Sequence, residues 1–130
     1  MCSTDTLKVA FEQMVIAFST RHLESLAALA HDNVVFLGVL SPVRVEGKAA
    51  LKLFFQNFFE THEFIQLTPL DPHFQVTDTI GLAWGSMMLE LQPKRMERKT
   101  FYIRYSCTFG YLSDVWSLVA MHSSWLLHED

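Results

Sequence analysis

Apolar positions recur at helical spacing over roughly the first sixty residues and then switch to a two-residue alternation. Leu7, Phe11, Met14 and Phe18, with Val15 beside them, make the stripe of a first helix that Ser3 or Thr4 can cap. After "STRH" a shorter helix over about 22–30 carries Leu23, Leu26, Ala27 and Ala30 on one side. "HDN" ends it, and the β-branched and aromatic run "VVFLGVL" (34–40) predicts a strand that Pro42 closes. Gly47 precedes "KAALKLFFQNFFE", a third helix with Leu51, Phe54, Phe55 and Phe58 inward. Long strands follow near 62–77, 79–91, 98–109 and 115–127, joined at Thr77-Asp78, at "QPKRME" and at "GYLSD".

Helix, helix, strand, helix and then an antiparallel meander is an α+β order. It predicts a single domain over 1–130, with three N-terminal helices packed on a strongly curved, mainly antiparallel sheet. A sheet bent around helices makes a cone, and the inside of a cone is a natural small-molecule pocket.

Alternation sorts the last two strands into two faces. One face holds Tyr102, Arg104, Ser106, Thr108, Trp116, Leu118, Ala120, His122 and Ser124. The other holds Ile103, Tyr105, Cys107, Phe109, Val119, Met121, Ser123 and Trp125. If "GYLSD" closes the hairpin with Phe109 opposite Val115, His122 lies opposite Tyr102 and Arg104 opposite Ala120; a β-bulge shifts this register. The second face is the more apolar and is expected inside the cone. Phe74 and Val76, then Leu82, Trp84, Ser86 and Met88, are expected to join it, with Met14, Phe18, Leu51 and Phe55 from the helices. The first face mixes aromatic, cationic and small residues, the composition of an isologous homodimer interface. Tyr102, Arg104, Ser106, Trp116, Leu118, His122 and Ser124 are its candidates. A histidine hydrogen-bonded to Tyr102, to Ser124 or to a partner subunit accounts for His122 without chemistry.

Composition sharpens this picture. Half of the 130 residues are hydrophobic, with eleven Phe and six Met. So much apolar surface calls for a cavity wall or a buried interface. The formal net charge is −4, and the longest basic run, "PKRMERK" (93–99), sits between two strands. Nucleic acid is therefore not an expected partner. No apolar run reaches the ~18–20 residues of a membrane span, and "MCSTDTLKV" lacks the basic-then-apolar order of a secretory signal. Cys2 and Cys107 make no disulfide framework, so free thiols and a cytoplasmic setting are expected. The histidines at 22, 31, 62, 73, 122 and 128 are scattered without metal-ligand spacing, and neither a metal nor another cofactor is expected.

Four stretches carry a resemblance: "AHDNVVFLG", "VEGKAALKLFF", "IGLAWGSMMLEL" and "RYSCTFGYLSDVWSLVAMHSS". Together they resemble the NTF2-like superfamily, with its cystatin-like fold, in the SnoaL-like branch related to ketosteroid isomerase and to the association domain of calcium/calmodulin-dependent protein kinase II. Relatives show Arg-x-Thr, a Trp twelve residues after the Arg, and His-x-Ser with the His six after the Trp. Arg104-Tyr105-Ser106, Trp116 and His122-Ser123-Ser124 keep those spacings, with Ser106 for Thr, and "LSDV" stands where an Asp-Gly turn is usual. The resemblance implies dimers built through the outer sheet face, and this fold hosts both enzymes and non-catalytic adaptors.

It also implies where chemistry would sit. The proton-abstracting carboxylate of an isomerase falls on Leu37 and the phenol of its first helix on Met14, and neither moves a proton. The cationic pocket residues of the kinase association domain fall on Leu51, Ser86, Cys107 and Ser123, all uncharged at neutral pH. Cys107 lacks a base on its own face. Asp32 is the remaining carboxylate near the expected pocket mouth and the reserve general base. The expected pocket is thus neutral, lined by Met14, Phe18, Leu37, Leu51, Phe55, Phe74, Trp84, Ser86, Met88, Tyr105, Cys107, Met121 and Ser123. The leading expectation is a homodimer that binds a small, largely apolar ligand without assignable catalysis. The alternatives are a lyase, isomerase or cyclase acting on a hydrophobic ring, and a pure association module.

Overall fold

A computed structural model describes residues 1–126. Helix α1 (Thr4–Ser19) starts at Ser3, whose hydroxyl accepts the Thr6 N–H while Thr6 Oγ1 accepts the Ser3 N–H. Its buried side, Leu7, Ala10, Phe11, Met14, Ala17 and Phe18, is the stripe read from the sequence. Helix α2 (Leu23–Leu29) is capped by the His22 imidazole, which accepts the Ser25 N–H. Helix α3 (Lys48–Glu60) buries Leu51, Phe55, Phe58 and Phe59. Phe54 is only half-buried there, so Phe59 takes the fourth core position expected of it.

Seven strands form the sheet: β1 (Ala30–Gly38), β2 (Ser41–Glu46), β3 (His62–Pro69), β4 (His73–Thr77), β5 (Ile80–Pro93), β6 (Lys99–Leu112) and β7 (Val115–Trp125). The order is β2-β1-β7-β6-β5-β3, with β4 also on β5, and all pairings are antiparallel except β1 with β7. The expected end of β7 at 127, and His128, lie outside the described residues.

Three features depart from the expected strands. β2 is an extra strand, because Pro42 is tolerated at a sheet edge where no ladder partner needs its N–H. The run 62–77 breaks into β3 and β4 at Leu70–Pro72. There Asp71 Oδ1 accepts both the N–H and the hydroxyl of Ser86, at 2.6 and 2.7 Å. Gly85 (φ +153°) makes the corner possible, since a Cβ at that position would overlap Asp71.

The third departure is the register of the last hairpin. β6 runs on to Leu112, and Ser113 and Asp114 (φ 52° and 63°) form a two-residue turn with both centres left-handed, matching the type I′ pattern. His122 consequently faces Ser106 and Arg104 faces Ser124, not Tyr102 and Ala120. Thr108 pairs with Ala120 but Phe109 with Leu118, leaving Val119 as the extra residue of a bulge. Below the bulge, Trp116 and Leu118 therefore turn inward with Phe109, and both are 4 % exposed. Their expected place on the outer face is corrected by that single inserted residue.

Trp116 closes the narrow end of the cone. Its Nε1–H donates to Thr6 Oγ1 at 2.9 Å, and its ring packs on Tyr111. The wide end is filled by a phenylalanine cluster in which Phe55 contacts Phe18 and Phe36 edge-on, at 5.6 and 5.4 Å between centroids. Trp116→Ala should cost about 3–5 kcal/mol of stability in urea melts without changing the oligomeric state seen by light scattering. Dissociation of a stable folded variant would return Trp116 to an interface.

Candidate functional site

The inner face of β6 follows its odd residues: Ile103, Tyr105, Cys107 and Phe109 are all buried. In β5 the odd residues also point inward, because Met87 pairs with Ile103 and Ala83 with Cys107. The even set expected there is turned out. Trp84 is 39 % exposed and stacks on His73, Ser86 holds Asp71, and Met88 pairs with the outward Tyr102. The inner row of β5 starts with small residues because α1 crosses it closely: a Cβ at Gly81 would meet both Leu7 and Trp116. In β1, Val34 and Phe36 point in, which sends Leu37 out beside His122.

The cone encloses a cavity of about 30 Å³. Met14 and Phe18 from α1, Leu51 and Phe55 from α3, and Met121 and Ser123 from β7 line it, six of the expected residues. Leu26, Phe36, Leu40, Leu67, Leu89, Ile103 and Leu118 complete the wall. Leu26 and Ile103 were readable from periodicity as inward-facing; Phe36 was not, because the expected inward place of Leu37 put it on the opposite face. Leu118 was hidden by the bulge, Leu67 and Leu89 by the register of β3 and β5, and Leu40 by the unforeseen β1–β2 turn. Four other candidates lie elsewhere. Phe74 packs edge-on against Phe11, with Lys8 Nζ 5.7 Å from its centroid. Tyr105 stacks on Phe11 at 5.6 Å, and Cys107 is fully buried. Leu37 borders a surface groove instead.

Ser123 is the one polar residue on the cavity wall among the described residues, and its Oγ accepts the Val39 N–H at 3.2 Å. Among the described residues no ionisable side chain lines the cavity. Asp32, the reserve base, has a carboxylate 86 % exposed and 3.6 Å from Lys48 Nζ. Burial raises the Tyr105 phenol, whose buried hydroxyl has no hydrogen-bond partner among the described residues, and pushes the Cys107 thiol up from 9.0 to about 12. The two hydrogen bonds from Ser86 hold the Asp71 carboxyl below its ordinary value, but this group sits outside the cone. Among the described residues no cluster of His, Cys, Asp and Glu could hold a metal ion, and no helix is long and apolar enough to cross a membrane.

On the outer face the structure places Tyr102, Arg104, Ser106, His122 and Ser124, with His122 and Arg104 exposed. Leu82 and Trp84 stand exposed on the same face, and Ile80 is exposed at its end.

The state of Cys107 carries a consequence. At pH 8 a disulfide reagent should titrate Cys2 rapidly and leave Cys107 unmodified until the protein unfolds. Folding favours the protonated thiol, so its contribution to stability is complete below about pH 9 and declines as pH rises toward about 12. Rapid titration of both thiols in the native protein would contradict this placement.

Comparison with known proteins places the chain in context. Residues 7–128 match the profile of a family described as the SnoaL-like domain. No curated protein matches. A proposed dehydratase of the NTF2-like family from Streptomyces avermitilis superposes with a TM-score of 0.86 at 16% identity, covering 95% of this chain and 97% of that one. A proposed calcium/calmodulin-dependent protein kinase II association domain from Xanthomonas campestris gives 0.82 at 16% identity, covering 95% and 87%. A ketosteroid isomerase-like protein from Erwinia carotovora atroseptica gives 0.81 at 15% identity, covering 96% and 97%. At these identities the likeness is one of fold.

Proposed function

The chain belongs to the SnoaL-like domain family of the NTF2-like superfamily, and on that premise we propose that it is a homodimeric domain that binds a small, uncharged, largely apolar molecule inside its cone without proton-transfer catalysis. The observation that carries this reading is the cavity wall: twelve apolar side chains and one serine. A water needs two to four polar partners to be held, and this wall offers one, so an apolar occupant suits it better. A charged ligand would be buried without a counter-charge, at a cost far above what a few contacts return.

At about 30 Å³ the space admits an occupant of water or xenon size as it stands. Met14 and Met121 both line the wall, and methionine is the side chain that repacks at least cost. Their rotation gives the cone room for a larger guest. The chemistry suggested by the dehydratase and isomerase neighbours would need an acid or base on this wall, and Met14, Leu37 and the solvated Asp32 supply none.

The self-association half of the reading rests on the outer face. Leu82 and Trp84 expose apolar surface on β5, beside Met88, Tyr102 and Arg104. Aromatic and arginine enrichment around an apolar centre is the composition of an interface core. A stable dimer needs ~800 Å² from each partner, which a face of three strands can provide.

Xenon and then benzene, added to protein with labelled methionine methyls, should shift the Met14 and Met121 resonances saturably and spare Met96. Unmoved Met14 and Met121 signals would end the ligand reading. Independently, light scattering should show a dimer that Trp84→Glu converts to a folded monomer; a monomeric wild type would remove the self-association half.

A further inference from the structure

The cavity lies back to back with a surface groove. The groove, of about 410 Å³, runs between the β1–β2 hairpin and the end of β7, bordered by Leu37, Val43, His122 and Trp125. Ser123 borders both hollows. Between them stands the two-residue turn Val39–Leu40, with Val39 on the groove side and Leu40 on the cavity side. The cavity's other walls are helices packed on the core and strands laddered to their neighbours.

The turn is held differently. The ladder between β1 and β2 is irregular between Phe36 and Gly38, and the parallel ladder from β1 to β7 stops at Leu37 and His122. Beyond that point the hydrogen bond from the Val39 N–H to Ser123 Oγ ties the turn to β7. Gly38 permits the close fit, since a Cβ there would overlap the Ser123 hydroxyl. One neutral hydrogen bond contributes only ~0.5–1.5 kcal/mol. The turn's other ties are the Gly38–Ser41 pair and the packing of partly buried Val39 and Leu40 on the core, and an element with so few hydrogen bonds belongs to the part of a structure that opens locally, before the whole unfolds.

We propose that this groove is the entrance site of the cone for small apolar molecules, and that the Val39–Leu40 turn, latched by Ser123, is the door. The purpose of the door rests on the binding reading above. Leu37, Val43 and Trp125 give an arriving apolar molecule a surface to land on, and Leu40 is the side chain it must displace. The exposed apolar residues assigned to self-association, Leu82 and Trp84, lie on β5, with β6 and β7 between them and β1.

The test places a thiol on the cavity wall, as Leu89→Cys in a Cys2→Ser background, and follows its reaction with methyl methanethiosulfonate across a urea series. Buried Cys107 in the same chain reports global unfolding. If the door exists, Leu89→Cys reacts at a rate nearly independent of low urea, while Cys107 follows the full urea dependence of unfolding. Adding Ser123→Ala should raise the Leu89→Cys rate by about five- to tenfold more than the Cys107 rate. Labelling of both thiols with the same urea dependence overturns the proposal, and so does a Ser123→Ala change that accelerates both equally. No ligand enters this measurement, so its failure is distinct from a failure of the binding reading.

Discussion

One extra residue in β7 organises this protein. At Val119 the strand carries two residues where β6 offers one partner, and the side-chain alternation inverts. Below the bulge the even residues Trp116 and Leu118 face the helices; above it the odd residues Met121 and Ser123 do. Without the inversion, either Trp116 would leave its hydrogen bond to Thr6 or Met121 would leave the cavity wall. The bulge lets one strand seal the narrow end of the cone with a tryptophan and line its wide end with flexible and small side chains. It also leaves His122 facing outward between two inward neighbours, away from any enclosed chemistry.

The helices were legible because a 3.6-residue stripe has one reading: Leu7, Phe11, Met14 and Phe18 could bury together only on a helix. The inner face of β6 was legible for a similar reason, since Ile103, Tyr105, Cys107 and Phe109 alternate with polar or small residues. The faces of β5 were not. In its first half the large side chains, Leu82 and Trp84, are the outward ones, because α1 passes so close that a Cβ at Gly81 would meet Leu7, and Ala83 is the next inward residue. Size pointed the wrong way there, and the pairing that corrects it is a long-range fact. The bulge was invisible for the same reason: alternation along "VWSLVAMHSSW" is unbroken as a string, and only the ladder to β6 shows that one residue is unpaired.

The chemistry of the cone follows from what the strands and helices bring inward. Phenylalanine, leucine and methionine surround a single serine whose oxygen already accepts a backbone N–H. Among the described residues no carboxylate or imidazole lines the cavity. Asp32 is tied to Lys48 at the surface, and Asp71 serves the corner that joins β3 to β4. Met14 and Leu37, where the family resemblance would set an isomerase's phenol and base, hold side chains that cannot exchange a proton. The proposed binding would select by shape and polarity, with methionines as the adjustable part of the wall.

The inversion in β7 is the claim on which the cavity, the narrow-end seal and the outward histidine all depend. Single cysteines placed in turn at 116, 118, 122 and 123, in a Cys2→Ser background, read it directly through their native-state reactivity with a charged thiol reagent. The account predicts protection at even positions 116 and 118 together with odd position 123, and fast labelling at 122. Protection that alternates without interruption, with 116, 118 and 122 all reactive or all shielded, would contradict it.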